Sequence, residues 1–220
     1  MKKIISFCLW GDNPKYTIGA IKNANLTNEI YNGWFSRFYC SESVPSNIIK
    51  ELKNIKNTEV IMTLNEGWIC MFNRFLPASE GDVEVMLSRD CDSRLNLREK
   101  SAVDEWMKSY YSFHIIRDHP WHGTEILGGM WGVKYPKLKK MRRLIEEYTK
   151  GDFWQVDQNF LREKIYPLIV NDSLTHDEFF QYSRNARKIP LKREGQEFVG
   201  ECFDENDIPN LQHRSMIKKI

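Results

Sequence analysis

Short apolar runs alternate with segments of helical periodicity along the N-terminal part of the chain. Ile4–Trp10 is an apolar run typical of a buried strand. Pro14 suits the first turn of a helix that apolar positions extend to about Tyr31. The same patterns predict strands at Trp34–Cys40 and Val60–Met62, and a helix from Pro45 to about Ile55. This β-α-β-α-β order predicts an α/β fold with a mostly parallel central sheet flanked by helices.

The next apolar run, which begins at Val83, ends at two carboxylates one residue apart, Asp90 and Asp92. Ligands of open α/β sheets bind outside the carboxyl ends of the strands, so chemistry is expected here. Two carboxylates at this spacing suit a hard divalent cation, Mg²⁺ or Mn²⁺, that keeps positions open for phosphate oxygens. The alternative is structural, because acidic residues are common in loops after strands as caps and turn formers.

The C-terminal part continues the alternation of elements. Asn96, with Glu99 three residues later, resembles a capping box that opens a helix. Ser112 to Arg117 predicts another strand, and Ile126–Val133 predicts an apolar strand interrupted by glycines. Glycine inside a strand often marks a bulge or the close approach of a ligand. These glycines are Gly128, Gly129 and Gly132.

Three further polar groups stand out from their surroundings. Arg74 is an isolated charge in the apolar helical turn Trp68–Pro77. In one interpretation its aliphatic part packs against the turn and its guanidinium reaches water. In the other, the guanidinium binds the ribose or phosphates of a nucleotide. Asp157 and Gln158 lie at a predicted helix start, where an acid also favours the helix dipole. His176 is either a functional imidazole or an exposed side chain beside a capping hydroxyl residue.

The loop Asp118–Gly123 carries His119 and His122 three residues apart. On a helix this spacing would suggest a zinc pair, but the proline and glycine inside the loop and the lack of a nearby third ligand argue against one. Contact with a sugar is the better functional interpretation. Aromatic rings such as that of Trp121 stack on sugar C–H faces, while His and Asp bond hydroxyls.

Composition excludes some classes of partner. The 220 residues suit one domain, and 32 basic against 30 acidic residues give a net charge of +2, which provides no global field for nucleic acid or an anionic membrane. A predicted basic helix from Pro136 to about Thr149 is either a solvated face or a peripheral contact with acidic lipid or polymer. The grouped basic residues are Lys137, Lys139, Lys140, Arg142, Arg143, Lys218 and Lys219.

The five cysteines are scattered, odd in number and without a C-x-x-C pair, which favours reduced thiols in the cytosol. Cys91, between the two acids, is expected to be a small buried residue. The apolar N-terminal run is too short to span a bilayer and lacks a small-residue cleavage site. No transmembrane segment is predicted later in the chain.

The order of these motifs resembles that of GT-A glycosyltransferases, in outline the glycogenin and lipopolysaccharide galactosyltransferase group. The features are strand-Asp90-x-Asp92, then Gly128–Gly132, then Asp157-Gln158, then His176. The Ser88–Arg94 and Gly128–Gly132 segments are also similar to small glycosyltransferase-like proteins of large DNA viruses and bacterial surface-polysaccharide clusters. The resemblance implies one GT-A-like domain over residues 1–220. It would comprise a Rossmann-like, nucleotide-binding half (about 1–95), a sugar and acceptor half (about 96–203) and a tail (204–220).

The resemblance also implies roles for individual residues. Asp92 would bind Mn²⁺ or Mg²⁺ directly, Asp90 would help to hold metal and ribose, and His176 would be the third protein ligand. Arg74 would contact the nucleotide. The residues expected beside the base are Trp10, Gly11 and Asp12, and those expected near the donor sugar or acceptor are His119, Trp121, Gly128, Gly129, Asp157 and Gln158. The chain departs from the galactosyltransferase pattern in having Gly-Gly for Asn-x-Gly and in lacking the Lys-Pro-Trp that follows the late histidine.

The implied reaction transfers a sugar from a UDP- or GDP-linked donor to a glycan or protein acceptor. The expected setting is the cytoplasm, or the host cytoplasm if the protein is viral. A metal on the phosphates would stabilise the leaving group. Inversion at the anomeric centre would need a carboxylate base, with Asp157 the first choice and Asp118 the second, whereas retention would need none.

Two alternatives to this function remain open at the level of sequence. A sugar nucleotidyltransferase shares the parallel sheet and the metal, but normally has a glycine-rich, basic phosphate loop after its first strand, which Gly11–Pro14 is not. A non-catalytic carbohydrate-binding or assembly module could keep the same fold without the activity.

Overall fold

The computed structural model describes residues 1–148, 150–180 and 182–217. Within them, the strands are β1 Lys2–Leu9, β2 Phe35–Ser41, β3 Thr58–Thr63, β4 Val83–Ser88, β5 Phe113–Arg117, β6 Trp131–Lys134, β7 Ser173–Asp177 and β8 Ala186–Arg187. They form one sheet in the order β3-β2-β1-β4-β6-β5-β7-β8. Elements from both predicted halves therefore share a sheet.

All neighbouring strands are parallel except at β6, which pairs antiparallel with both β4 and β5. The predicted α/β class with a mostly parallel sheet is confirmed. Because β6 runs in the opposite direction, the residues that precede it lie at the same edge of the sheet as the residues that follow β4. This reversal places the Gly128-Gly129 segment beside Asp90.

Helices cover both faces of the sheet. Their bounds are α1 Pro14–Ile30, α2 Ser46–Asn54, α3 Leu97–Lys108, α4 Met141–Glu146, α5 Val156–Phe160, α6 Tyr166–Ile169 and α7 Leu211–Met216, with 3₁₀ segments at Gly67–Ser79 and Val170–Asp172 and a π turn at Leu161–Ile165. One core cluster joins the sheet to α1, α2 and α3, and a second joins it to Gly67–Ser79, α4 and the α5–α6 region. Burial of these two apolar faces is the main stabilising contribution to the fold.

Local sequence explains where α1 begins. The Asn13 side chain accepts a hydrogen bond from the Lys15 backbone N–H at 3.0 Å, and Pro14 occupies the first turn. The cap fixes the helix start directly after β1. Lys15 and Tyr16 are thereby placed at the carboxyl edge of the sheet.

The structure differs from the sequence predictions at several elements of the C-terminal half. The strand predicted over Ile126–Val133 is shorter and starts only at Trp131, because the glycines before it lie in a turn. The basic helix starts at Met141 instead of Pro136, since residues 135–140 form turns as the chain leaves β6. Thr149, its predicted end, and the basic residues Lys218 and Lys219 lie outside the described residues.

No helix in residues 1–148, 150–180 and 182–217 has both the length and the apolar character needed to cross a bilayer.

Candidate active site

A cavity of about 490 Å³ opens at the carboxyl edge of the sheet. It lies between the ends of β1 and β4, the segment before β6 and the start of α5. Ten of the residues singled out from the sequence line it: Trp10, Gly11, Asp12, Arg74, Asp90, Asp92, Gly128, Gly129, Asp157 and Gln158. The fold therefore brings the D-x-D motif, the glycine pair and the Asp-Gln pair to one place.

Asp90 and Asp92 each pair with a different cation. The Asp92 carboxylate lies 2.7 Å from Lys15 Nζ, and the Asp90 carboxylate accepts a hydrogen bond from Arg74. The Asp90 side chain is 41% exposed and the Asp92 side chain 14%, so the first stands further into the cavity. Burial acts to lower the pKa of Lys15, but the Asp92 charge outweighs it and the net pKa is raised. Cys91, between the acids, is buried as predicted.

Arg74 joins the two acidic motifs. Its guanidinium is buried and donates to Asp90 from Nη1 and to Asp157 Oδ2 from Nη2, the latter at 2.6 Å. Burial acts to lower its pKa, but Asp90 and then Asp157 raise it overall. The fork of Arg74 thus spans two carboxylates from distant parts of the chain. Its head lies in the cavity wall, which contradicts the interpretation that it only reaches bulk water.

The glycine pair leaves room for this charge network. A Cβ atom on Gly129 would overlap the Asp90 carboxylate. A Cβ atom on Gly128 would overlap the Arg74 guanidinium and lie 2.9 Å from Asp157 Oδ2. The Ser88 hydroxyl donates to the Gly128 carbonyl at 2.6 Å and fixes the segment against β4. These glycines are required for space, so the sequence expectation of a close approach is explained by protein atoms.

Aromatic side chains form the opposite wall of the cavity, beyond β1. Trp10 and Trp68 meet edge to face with ring centroids 5.6 Å apart, and Tyr16 from α1 also lines the cavity. Gly11 has a φ of +71° and its N–H donates to the Ser43 hydroxyl at 2.8 Å, which fixes the turn after β1. This wall offers flat apolar surfaces of the kind on which a base stacks.

The start of α5 supplies the Asp-Gln pair. Gln155 precedes the helix with a φ of +67°, and this left-handed residue turns the chain so that Asp157 and Gln158 face the cavity. Asp157 is only 7% exposed, because Arg74 and the glycine pair cover it. Trp154, at the mouth of the cavity, is 65% exposed. Asp152 anchors this loop by accepting the Ile69 N–H at 2.9 Å.

His176 does not join the acids. It lies in β7, three strands from β4 in the sheet order, which corresponds to roughly 14 Å at the usual strand spacing. Its ring is completely buried, with Nδ1 2.8 Å from His114 Nε2 and Nε2 3.0 Å from Glu105 Oε2. Burial lowers the pKa of both imidazoles. His176 is therefore not placed to bind a metal together with Asp90 and Asp92. The alternative of an exposed imidazole is also wrong.

Asp118 is held in buried ion pairs, so it cannot serve as the second candidate base. It is completely buried and paired with Arg98 at 2.9 Å and Arg193 at 2.5 Å, and it accepts the Val199 N–H at 2.9 Å. These partners occupy both carboxylate oxygens and hold the C-terminal segment onto the sheet. A carboxylate so enclosed has no path to an acceptor hydroxyl.

His119 and Trp121 also lie outside the cavity. The His119 ring is buried, and its Nε2 lies 2.9 Å from the His213 carbonyl of α7. Trp121 is half exposed and packs edge to face on the His213 ring, with centroids 5.0 Å apart. Both side chains anchor α7, so the sugar contact expected of them is not supported. The residue of this loop that does line the cavity is His122.

The sequence interpretation missed several residues of the cavity. Lys15 pairs with Asp92. It was missed because the helical pattern of α1 does not distinguish this lysine from other polar residues of the helix. Cys202 lines the cavity because the C-terminal segment returns to the acids, where the Phe203 N–H donates to the Asp92 carbonyl at 2.8 Å. Trp154 stands three residues before Asp157, and this proximity was the available signal for it.

The sequence matches no protein-family model and no curated protein. Solved structures do match the fold. A glycosyltransferase involved in glycosylation of the major capsid of PBCV-1 is 20% identical, with a TM-score of 0.51 over 80% of this chain and 81% of that one. This chain has the GT-A fold. The predicted resemblance to GT-A glycosyltransferases is confirmed at the level of the fold.

Two other GT-A structures align comparably well. The galactosyltransferase LgtC, in complex with donor and acceptor sugar analogs, is 11% identical with a TM-score of 0.50, covering 78% of this chain and 72% of that one. Glucosyl-3-phosphoglycerate synthase from Mycobacterium tuberculosis, in complex with UDP, is 13% identical with a TM-score of 0.50, covering 88% and 73%.

The residues at the GT-A cavity fit a divalent cation that arrives with phosphates. Among the described residues, no three His, Cys, Asp or Glu side chains form a ready metal cluster. Asp90 and Asp92 nevertheless supply hard oxygen donors, and Mg²⁺-type ions are commonly held by one or two carboxylates together with substrate phosphates and water. Lys15 and Arg74 already occupy part of these carboxylates. The donor set thus suits a cation shared with a nucleotide better than a cation bound alone.

Proposed function

We propose that the protein is a metal-dependent glycosyltransferase that transfers a sugar from a nucleoside-diphosphate sugar to a glycan or protein acceptor. The observation that carries the proposal is that Asp90, Asp92, Arg74 and Asp157 meet in one cavity of a GT-A fold. Aromatic side chains flank these acids on the β1 side and the glycine pair flanks them on the β6 side.

In this proposal each group in the cavity has a defined task. Trp10, Gly11 and Asp12 receive the nucleoside, and Asp90 and Asp92 hold the cation together with the pyrophosphate. When bound, the cation supplies Lewis-acid stabilisation of the departing diphosphate. Lys15 and Arg74 orient the two carboxylates and add positive charge beside the place where negative charge develops.

Asp157 and Gln158 are assigned to the sugar and acceptor side. If the anomeric configuration inverts, Asp157 is the carboxylate of the cavity that would take the acceptor proton. Its Oδ2 accepts a hydrogen bond from Arg74 at 2.6 Å, which fixes the direction in which the carboxylate points. If the configuration is retained, the same carboxylate holds a sugar hydroxyl and no base is needed.

The first probes follow from the comparisons. The Mycobacterium tuberculosis synthase is described with UDP, and LgtC with donor and acceptor sugar analogs. We therefore propose UDP-linked sugars as the first donors to test and GDP-linked sugars next. The five unpaired cysteines support a reducing compartment such as the cytoplasm as the place of action.

The test is the Asp92→Asn variant, compared with wild type and with Asp104→Asn on the exposed face of α3. Titration calorimetry with UDP and GDP, with and without Mn²⁺, should show metal-dependent binding to wild type and Asp104→Asn, and a loss of at least about tenfold in Asp92→Asn. Transfer or hydrolysis of nucleotide sugars should fall in parallel.

Two results would contradict the proposal. Unchanged nucleotide binding and turnover in Asp92→Asn would remove the metal role of the D-x-D motif. Binding of free sugars without any binding of nucleotides would instead support the carbohydrate-binding module.

A further inference from the structure

The sheet order gives the cavity two ends. The acids follow β4, and β1 with Trp10 lies on one side of β4, whereas β6 and β5 lie on the other. The nucleoside and the sugar are bonded to different phosphates of the diphosphate, and the cavity extends from the acids toward both β1 and β6. If Asp90 and Asp92 hold the pyrophosphate and the nucleoside lies against the β1 side, the sugar lies on the β6–β5 side.

His122 is part of the cavity wall at this second end. It belongs to the loop after β5, and its ring accepts the Asp118 backbone N–H on Nδ1 at 3.1 Å. A neutral imidazole that accepts on Nδ1 carries its proton on Nε2. Burial lowers the pKa of His122 to about 3, so the ring is neutral at ordinary pH. Nε2 is therefore a hydrogen-bond donor.

The ring is held by a rigid frame. Asp118, whose backbone orients it, is clamped by Arg98 and Arg193. The Phe198 ring meets the His122 ring edge to face at 5.9 Å. Gly200 lies against it, and a Cβ there would be 3.6 Å from His122 Cε1 and 2.6 Å from Met130 Sδ. The buried Asp118 ion pairs, which the reaction does not use, thus fix the position of one imidazole on the cavity wall.

The side chains next to His122 on the cavity wall are apolar. Its neighbours on the same part of the wall, Leu127, Met130 and Gly200, have no polar hydrogen on their side chains. Besides Asp157 and Gln158 from α5, a sugar that enters this end meets an apolar stretch of wall in which His122 supplies the fixed N–H. A single fixed donor in an apolar setting discriminates strongly between sugars that do and do not place a hydroxyl opposite it.

We propose that His122 donates a hydrogen bond from Nε2 to a hydroxyl of the donor sugar and so determines which sugar the enzyme accepts. This proposal rests on the proposed function, because it needs a nucleotide sugar in the cavity. It assigns the specificity role to His122, which lines the cavity, and not to His119 or Trp121.

The experiment compares wild type with His122→Phe, which keeps a flat ring without the donor, and His122→Gln, which restores an N–H near the position of Nε2. Trp121→Ala, from the same loop but outside the cavity, is the matched control. Titration calorimetry with Mn²⁺ uses UDP and GDP as nucleotide probes, and UDP-glucose, UDP-galactose, GDP-mannose and GDP-fucose as sugar-nucleotide probes.

For the sugar nucleotide that wild type binds best, His122→Phe should weaken binding about tenfold, the usual effect of one neutral hydrogen bond. Binding of the corresponding diphosphate alone should change by less than about twofold. His122→Gln should recover part of the loss, and Trp121→Ala should behave as wild type. Equal weakening of diphosphate and sugar nucleotide, or no weakening of either, would overturn the proposal.

A spectroscopic measurement separates this role from a purely structural one. In ¹⁵N-histidine NMR spectra of the wild-type protein, the His122 Nε2–H signal should move when the sugar nucleotide is added and stay in place with the diphosphate alone. An Nδ1–H tautomer, or identical shifts with both ligands, would contradict the proposal even if the variants fold poorly. Failure of wild type to bind any of the nucleotides would overturn the proposed function, and the role of His122 with it.

Discussion

At the scale of single residues, the cavity is built from charges that pair across long sequence distances. Arg74 bridges Asp90 and Asp157, and Lys15 pairs with Asp92. None of these pairs has the sequence spacing of a helical turn, so each depends on the fold to bring its members together. The bridge fits only because Gly129 lacks a side chain where the Asp90 carboxylate lies.

We expect Gly129→Ala to reduce transfer from a nucleotide sugar by roughly 100-fold, because the new methyl group displaces the Asp90 carboxylate and misplacement by about 1 Å costs that much. Initial rates with saturating Mn²⁺ provide the measurement. Gly81→Ala is the matched control, since the nearest atom to a Cβ there is Tyr135 Oη at 3.9 Å. Equal activity of the two variants would show that the position of Asp90 is unimportant.

Sequence reasoning located the site residues that a local sequence pattern marks. Asp90 and Asp92 follow an apolar strand directly, and Gly129 interrupts an apolar run, so local pattern marks them. Asp118 also follows a strand, but its burial under Arg98 and Arg193 is a long-range fact that no local pattern contains. Residues at strand ends can be predicted to lie at the correct edge of the sheet, whereas their partners cannot.

At the scale of elements, the start of α3 holds the segment that follows β4 in place. Asn96 caps it by accepting the Glu99 N–H at 2.8 Å, as the predicted capping box requires. The Glu99 carboxylate does not complete the box, because it accepts hydrogen bonds from Arg89 Nε and the Tyr31 hydroxyl, both at 2.8 Å. The helix start is thus tied to the strand that carries the acids and to α1.

Asn96→Ala should lower the free energy of unfolding by about 1 kcal/mol, the usual contribution of an N-cap side chain. Asn96→Asp keeps an acceptor oxygen at the same place and should remain within a few tenths of a kcal/mol of wild type. Chemical denaturation at pH 7 measures both. If the two variants were destabilised equally, the helix start would depend on something other than the cap.

The elements that the sequence predicted well are those with a clear period. β1, α1, β2 and α2 appear within one or two residues of their predicted bounds. β7 was missed because Ser173–Asp177 is polar in composition, yet every residue of it is buried. Its polar groups find partners across the sheet, as His176 does with His114, and such pairing is invisible in one strand considered alone.

At the scale of the whole molecule, imidazoles that stay neutral in the fold link stability to pH. His114, His122 and His176 all have their pKa lowered by burial. Between the ordinary value of about 6.5 and their folded values, the unfolded chain binds protons that the folded chain does not. Stability therefore decreases as pH falls through this window.

We expect the free energy of unfolding to fall between pH 7 and pH 5. Below about pH 6 the slope should approach 1.4 kcal/mol per pH unit for each imidazole that remains neutral in the fold. Urea unfolding at several pH values measures it. His122→Gln removes one such imidazole, so the free energy of unfolding should fall less steeply with pH, by the contribution of about one proton. An unchanged slope would mean that His122 is protonated in the folded protein.

The reversed strand β6 has a consequence for how new variants could arise. The loop before it and the loop after β5 form one end of the cavity, while the turns after β1 and β2 lie toward the other end. Substitutions confined to His122–Leu127, between the structural Asp118 and the glycine pair, can therefore reshape one end without displacing Asp90 or Arg74. A lineage, or a protein engineer, that exchanges this short stretch could change the proposed sugar specificity while the proposed nucleotide-binding end stays intact.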